Sequence, residues 1–333
     1  MRRLALLACL SALLSCTPES TPPADSSAAA TSGKPVIALV MKDLGNEFFQ
    51  TMAAGAEAHQ KAHAGEYELL VDGIQNETDL NRQVGIMTGL IARGVDAIVL
   101  APADSKALVQ AARQAQEAGI VVVNIDNQLD ADTLAAEQIS VPFVGPDNRA
   151  GARTVGEYLA GKLPDGGTGA QVAILEGIPS AFNAQERRAG FEEAMQAAGA
   201  EVVSVQSADW EMNKANQIAS AMLTAHPDLD AILASNDTMA IGALAARKAA
   251  GRDTGDDAVL VVGFDNIAAA RDAVEAGELL ATADQYAGDL AVFGIETALA
   301  VLGGEQPSDR QTPVDLVTAE SVAGETLAAP LSE

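Results

Sequence analysis

Short, mostly apolar runs recur along this chain at 36–41, 67–71, 97–100, 120–125, 141–144, 172–175, 202–205, 231–234, 259–264 and 280–282. Most are separated by stretches whose apolar residues repeat with helical periodicity, at 46–62, 80–93, 107–118, 149–163, 184–198, 213–225, 239–249 and 287–302. Strands alternating with helices of this length predict βαβ units and parallel sheets. The runs are predominantly apolar instead of alternating, as expected of strands covered by helices on both faces. Ten units exceed one ordinary open sheet, so the chain either closes a barrel or makes two domains. The Gly-rich stretch Pro164-Asp165-Gly166-Gly167-Thr168-Gly169 lies near the middle and reads as a turn where a second sheet begins. It lacks the Lys-Ser/Thr ending of a phosphate-cradling loop and precedes a strand instead of following one.

The predicted strands end in polar side chains. The run 36–41 passes into Lys42-Asp43-Leu44-Gly45-Asn46-Glu47-Phe48-Phe49, and 120–125 into Asp126-Asn127. Further on, 231–234 leads to Ser235-Asn236-Asp237, 259–264 to Asp265-Asn266, 280–282 to Asp284-Gln285, and 202–205 to Asp209-Trp210 with the only Trp. Parallel strands point their carboxyl ends to one edge, so these carboxylates and amides are predicted to converge. Aromatic residues are only 3% of the chain, and two side by side at a loop-to-helix junction need a reason beyond core packing. Carboxylates and amides grip neighbouring hydroxyls while flat rings cover an apolar ring face, a combination suited to a polyhydroxylated ligand. For Asp237 and Asn266 a helix N-cap is the preferred reading.

The amino terminus changes the compartment. Arg2 and Arg3, an apolar segment 4–14 and a small residue before Cys16 form an export signal, too short to span a bilayer as a stop-transfer helix. Leu13-Leu14-Ser15-Cys16 is similar to the lipobox of bacterial lipoproteins, with Cys16 lipidated after cleavage; an ordinary signal peptide with an incidental Cys is the alternative. The Pro-, Ser-, Thr- and Ala-rich stretch 17–34 suits a disordered tether. Cys9 and Cys16 are the only cysteines, so no disulfide is expected in the mature chain. A net charge of −26 disfavours nucleic acid and anionic lipid headgroups and favours a neutral or cationic ligand. His59 and His63 can share a helix face, but without a third ligand no metal is assigned, and no cofactor is called for.

Eight stretches together carry a family resemblance: Asn46-Glu47-Phe48-Phe49, Leu100-Ala101-Pro102-Ala103-Asp104-Ser105, Asn124-Ile125-Asp126, Gly145-Pro146-Asp147-Asn148, Leu223-Thr224-Ala225-His226-Pro227-Asp228, the run from Ser235 to Leu244, Val261-Val262-Gly263-Phe264-Asp265 and Ala281-Thr282-Ala283-Asp284-Gln285. By number, order and spacing, nearly the whole mature chain resembles the ribose-binding group of type I solute-binding proteins, the pentose and hexose receptors of ABC importers. The resemblance implies an α/β fold of two Rossmann-like lobes with parallel-sheet cores, joined by three hinge crossings near 145–148, 285 and 312–315. The implied division is a signal peptide 1–15, a lipidated Cys and tether 16–34, a first lobe 35–146 plus 286–313, and a second lobe 147–285 plus 314–333.

Carried over by position, Asn46, Phe48, Phe49 and Asp126 would bind from the first lobe, and Trp210, Asn236, Asp265 and Gln285 from the second lobe and hinge. Asn127 and Gln185 stand where ribose binders carry arginines, which disfavours ribose in the same pose. Phe182 and Asn183 could refill that space, and Lys42 and Glu47 place charges near the rim. The implied protein is a monomeric, lipid-anchored, extracytoplasmic receptor that binds a monosaccharide or sugar alcohol, performs no chemistry, and delivers to an ABC permease and ATPase. A sensor presenting the sugar to a chemoreceptor or kinase is the alternative. A sugar-processing enzyme using Asp126 and Asp265 is disfavoured because no nucleophile motif accompanies them. A repressor of the lactose-repressor class is disfavoured because an export signal occupies the place of a DNA-binding headpiece.

Overall fold

The computed structural model describes residues 33–255 and 257–324, so the expectations for the export signal, Cys16 and most of the tether lie outside it. The alternating pattern resolves into two six-stranded sheets. The first contains β1 (Val36–Met41), β2 (Glu68–Gly73), β3 (Ala97–Leu100), β4 (Val121–Ile125), β5 (Phe143–Pro146) and the late strand β11 (Arg310–Thr312), in the order β11-β5-β4-β3-β1-β2. Every neighbouring pair in it is parallel. The second contains β6 (Gln171–Glu176), β7 (Glu201–Ser207), β8 (Leu229–Ala234), β9 (Leu260–Val262), β10 (Ala281–Asp284) and β12 (Asp315–Thr318), in the order β12-β10-β9-β8-β6-β7. Only β12 breaks the parallel pattern, running antiparallel to β10 at the edge. The barrel alternative is thereby removed.

Helices cover both sheets: α1 (Glu47–Ala62), α2 (Leu80–Arg93), α3 (Val109–Glu117), α4 (Ala131–Ala136), α5 (Asn148–Ala160), α6 (Phe182–Ala198), α7 (Met212–Ala225), α8 (Asp237–Ala249), α9 (Ala268–Glu275), α10 (Ala287–Leu302) and α11 (Ala319–Ala323). The apolar runs end up buried on both faces: all four residues of β3 are inaccessible, as are the last five of β1. One cluster of buried side chains continues from Leu39 and Phe49 beside the first sheet to Leu175 and Trp210 beside the second. Separate clusters fill the outer face of each sheet, around Ile98 and Leu100 in one and Val172 and Phe264 in the other. The stretch 164–169 contains a one-turn 3-10 helix at Pro164–Gly167, with left-handed φ at Asp165, Gly166 and Gly167.

The chain passes between the sheets three times: from β5 into α5, which packs on α6; from β10 into α10, which packs on α1, β3 and β4; and from β11 to β12. The return of α10 is made possible by small residues. A Cβ on Gly55 of α1 would stand 2.5 Å from the Cα of Gly288 on α10, a contact only glycine permits. In each sheet the strand order reverses once, between β1 and β3 and between β6 and β8, and crevices open at the carboxyl ends beside such switch points. The two crevices face each other.

Candidate functional site

A small cavity lies between the facing carboxyl edges, lined by Lys42, Asn46, Phe48, Phe49, Glu77, Asp126, Asn183, Arg187, Trp210, Asn236, Asp265 and Gln285. Nine of the eleven residues expected from sequence line it: Asn46, Phe48, Phe49, Asp126, Asn183, Trp210, Asn236, Asp265 and Gln285. Each reaches it by a simple route. Asn46 and Asn236 follow β1 and β8 and cap the helices that begin there, accepting from the amides of Phe48 and Met239. Phe48 and Phe49 sit in the first turn of α1, edge to face with centroids 5.1 Å apart, and both are buried. Trp210 lies at the end of the turn after β7. Its ring rests on Gly177, where an added Cβ would come within 2.0 Å of it.

Two expectations fail. Asn127 is fully buried but turns away from the cavity: its Nδ2 donates to Pro102 O at 2.9 Å and its Oδ1 accepts from Asn183 N at 3.1 Å. Gln185 is exposed, donating to Pro179 O. The reason is helical phase. Residues two apart on a helix point in nearly opposite directions, whereas residues four apart share a face. On α6 it is therefore Asn183 and Arg187 that face the cavity, with Gln185 between them on the far side. The cap readings also change. Asn236, not Asp237, caps α8; Asp237 is buried and accepts from Thr282 Oγ1 at 2.7 Å and Ile267 N at 3.1 Å. Asn266 does not cap α9 and donates to Asp284 at 2.9 Å.

Three lining residues were not assigned from sequence: Lys42, which had been placed at the rim, Glu77 and Arg187. The Lys42 ammonium is buried 3.0 Å from Asp126 and 3.2 Å from Glu77, and 5.5 Å from the ring centre of Phe49. Burial alone would lower its pKa, but the two carboxylates outweigh that and raise it, so Lys42 stays charged. Burial pushes Glu77 up to about 7 against the pull of Lys42. Arg187 is held by Asn148 at 2.8 Å, Ser235 O at 2.8 Å and Asp265 at 3.1 Å, with its guanidinium 3.9 Å from the ring centre of Phe264. Asp265 also accepts from Gln285 at 2.7 Å, and burial raises its pKa to about 7. The other charge expected near the rim, Glu47, accepts from Ala268 N at 2.7 Å on the opposite lobe.

Two cations thus sit among three acids, two of which titrate near neutrality, so the wall is close to charge-balanced. Asn183 Oδ1, Trp210 Nε1 and Gln285 Oε1 have no hydrogen-bond partner among the described residues, although they are buried. Buried polar atoms of this kind are ordinarily paired, so three of them around one cavity mark places for a guest. Backbone strain collects here too. Asp126, Asp209, Trp210, Asp265, Asn266 and Tyr286 all have left-handed φ, a conformation costly for side chains other than glycine and concentrated at functional sites. His59 and His63, by contrast, stack 4.1 Å apart at the far end of α1, and no cluster that could hold a metal occurs among the described residues.

Residues 37–306 match the periplasmic binding protein domain. The chain belongs to that family. Among related proteins, this periplasmic binding protein is 53% identical over 324 residues to the D-ribose/D-allose-binding protein of Pseudomonas aeruginosa, covering 96% of this chain and 100% of that one. It is 36% identical over 283 residues to the ribose import binding protein RbsB of Escherichia coli, covering 85% and 90%. Among solved structures it is similar to an ABC transporter solute-binding protein of Burkholderia multivorans with an unknown ligand built as α-D-erythrofuranose, at 54% identity and TM-score 0.83, covering 86% and 100%. An Actinobacillus succinogenes solute-binding protein with bound D-allose follows at 35% identity and TM-score 0.82, covering 87% and 100%. The relatives are binding proteins, not enzymes, and the fold is that of the type I group.

Proposed function

We propose that this chain captures a monosaccharide for an ABC importer in the periplasm, the two lobes closing on the sugar and releasing it unchanged to a permease and its ATPase. The observation that carries the reading is the enclosed, charge-balanced cavity whose Asn183, Trp210 and Gln285 hold unpartnered polar atoms beside three aromatic rings. Asp126, Asp265, Asn236 and Gln285 accept from or donate to ring hydroxyls, and Phe48, Phe49 and Trp210 cover the ring's apolar edges. Closure is favoured because only the closed form engages both half-sites.

An aldohexose such as D-allose, or a polyol, is preferred to ribose. Position 127 carries no arginine and α6 supplies its arginine at 187, so the cations on the wall, Lys42 and Arg187, suit a different pose. The D-ribose/D-allose-binding relative of Pseudomonas aeruginosa supports a monosaccharide of either kind, and the Actinobacillus succinogenes structure with bound D-allose supports the hexose. The acylated Cys16 would tether the protein to the membrane, and Cys16→Ser should then move it from the membrane to the soluble fraction.

Because Trp210 is the only Trp, its emission reports the cavity directly. Titration with D-allose, D-ribose and myo-inositol should give a saturable change with D-allose tightest, together with a rise in melting temperature. Silence across a broad panel of aldoses and polyols would remove the sugar reading. Tighter D-ribose binding would reverse only the preference.

A further inference from the structure

Three helices of the second lobe, α6, α7 and α9, begin without a side-chain cap of their own, and at two of them the N-cap residue has no acceptor to offer. The N-cap of α6 is Ala181 and that of α9 is Ile267, neither of which can accept a hydrogen bond from the first-turn amides. The acceptors come instead from the first lobe. Ser105 Oγ accepts from Phe182 N at 2.9 Å, and Asn127 Oδ1 accepts from Asn183 N at 3.1 Å. Glu47 Oε1 accepts from Ala268 N at 2.7 Å, bringing a negative charge to the positive end of α9. Ser105 and Asn127 are buried and joined to each other at 3.4 Å, and neither lines the cavity.

We propose that Glu47, Ser105 and Asn127 are closure latches: they supply the missing caps of α9 and α6 across the cleft, so these caps exist only when the lobes are shut. Their partners are main-chain amides, so the latch is indifferent to the sugar's identity and sets how long the cleft stays closed. Asn127 is also a positioning residue, because the amide it holds belongs to Asn183, whose side chain faces the cavity with its Oδ1 unpaired. The open form leaves the same amides to water, so losing a latch should weaken the closed form and spare the fold.

The test compares the wild-type chain with Ser105→Ala and with Glu47→Ala, leaving Asn127 in place because it also holds Pro102 O within the first lobe. A helix cap corresponds to about a 2- to 30-fold change in equilibrium. Release of D-allose, followed by Trp210 emission in stopped flow, should accelerate by that factor while the association rate stays within about two-fold. Ligand-free melting temperatures should be unchanged, and Ser105→Thr, which retains the hydroxyl, should release slowly like the wild type. Unaltered release, or slower association with a lowered melting temperature, would overturn the latch in favour of no role or a purely structural one.

This arm rests on the sugar-capture reading, so a second is independent of it. With the lobes held shut without sugar by a short bis-maleimide link between cysteines placed at Asn76 and Glu211, whose side chains meet across the cleft at 2.9 Å, hydrogen exchange at the Phe182, Asn183 and Ala268 amides should quicken in the variants. Equal exchange there rejects the latch even if no sugar binds, whereas faster exchange without sugar binding upholds the latch and rejects only the sugar.

Discussion

Replacing Lys42 by Met tests whether the cavity wall depends on one buried cation. Met is unbranched and fills the channel left by the lysine stem, so the change is chiefly one of charge. In the folded protein the ammonium lies 3.0 Å from Asp126 and 3.2 Å from Glu77, with all three side chains no more than 5% exposed. Without it two carboxylates remain buried side by side, and breaking a buried pair in this way costs about 3–5 kcal/mol. At roughly 2–4 °C per kcal/mol for a chain of this size, the melting temperature should fall by on the order of 10 °C at pH 8. The deficit should shrink on acidification. The pair must take up a proton to stay folded, and each such proton is worth up to about 1.4 kcal/mol per pH unit. Urea unfolding at pH 5.5 and pH 8 measures both quantities. A loss below about 1 kcal/mol at pH 8, or the same loss at both pH values, would refute the argument that Lys42 neutralises these carboxylates. Adding Glu77→Gln to the Met variant should restore part of the stability at pH 8, because one of the repelling charges is then gone.

Further outcomes follow from the same geometry. Gly177→Ala forces a methyl to within 2.0 Å of the Trp210 ring, so it should shift Trp emission and cost about 1–3 kcal/mol of ligand affinity or stability, read by fluorescence titration and melting. Asp126→Ala and Asp265→Ala should each weaken sugar binding by about 1–3 kcal/mol, measured by calorimetry, since each removes a partner from a ligand hydroxyl and one carboxylate from a buried cation. Burial raises Asp237, Asp265 and Glu77 to about 7, so the folded chain holds more protons than the unfolded one between their ordinary values and pH 7. Stability from these groups is present at low pH and lost as pH rises through 7. His59, whose pKa burial lowers, acts the other way, one group against three. The ligand-free protein should therefore melt higher at pH 5.5 than at pH 8, and Asp237→Asn should reduce the difference.

Much of the fold could be read from apolar periodicity because parallel strands are buried on both faces, which leaves unbroken runs such as 36–41 and 97–100. The elements that escaped are those without such a run. The strands β11 (Arg-Gln-Thr) and β12 (Asp-Leu-Val-Thr) are short edge strands, α4 and α11 bury no residue completely, and α9 is only eight residues long with two alanines and one valine buried. Their positions are set by neighbours in the sheet and not by their own sequence. The return of α10 to the first sheet is likewise invisible to periodicity; it was implied only by the resemblance, and Gly55 and Gly288 show what permits it.

Legibility of the site divides along the same line. Residues at strand ends, such as Asp126, Asn236 and Asp265, could be found because the sheet geometry leaves them nowhere else to point. Arg187 could have been found by phase alone, since it lies four residues from Asn183 on α6, whereas assignment by matched position selected Gln185, half a turn out of register. Glu77 gave no signal, and Ser105 and Asn127, singled out by motif and by matched position, gave none of their contacts to Phe182 and Asn183, because those partners lie on other elements distant in the chain. The left-handed φ values add a constraint that neither pattern nor resemblance contains. At Asp126, Trp210 and Asp265 glycine would relieve the strain, yet glycine would also delete the ion pair to Lys42, the ring over Gly177 and the grip on Arg187. The chain carries the strained side chains at the very places where the cavity needs their functional groups, so strain and function coincide there because one is the cost of the other.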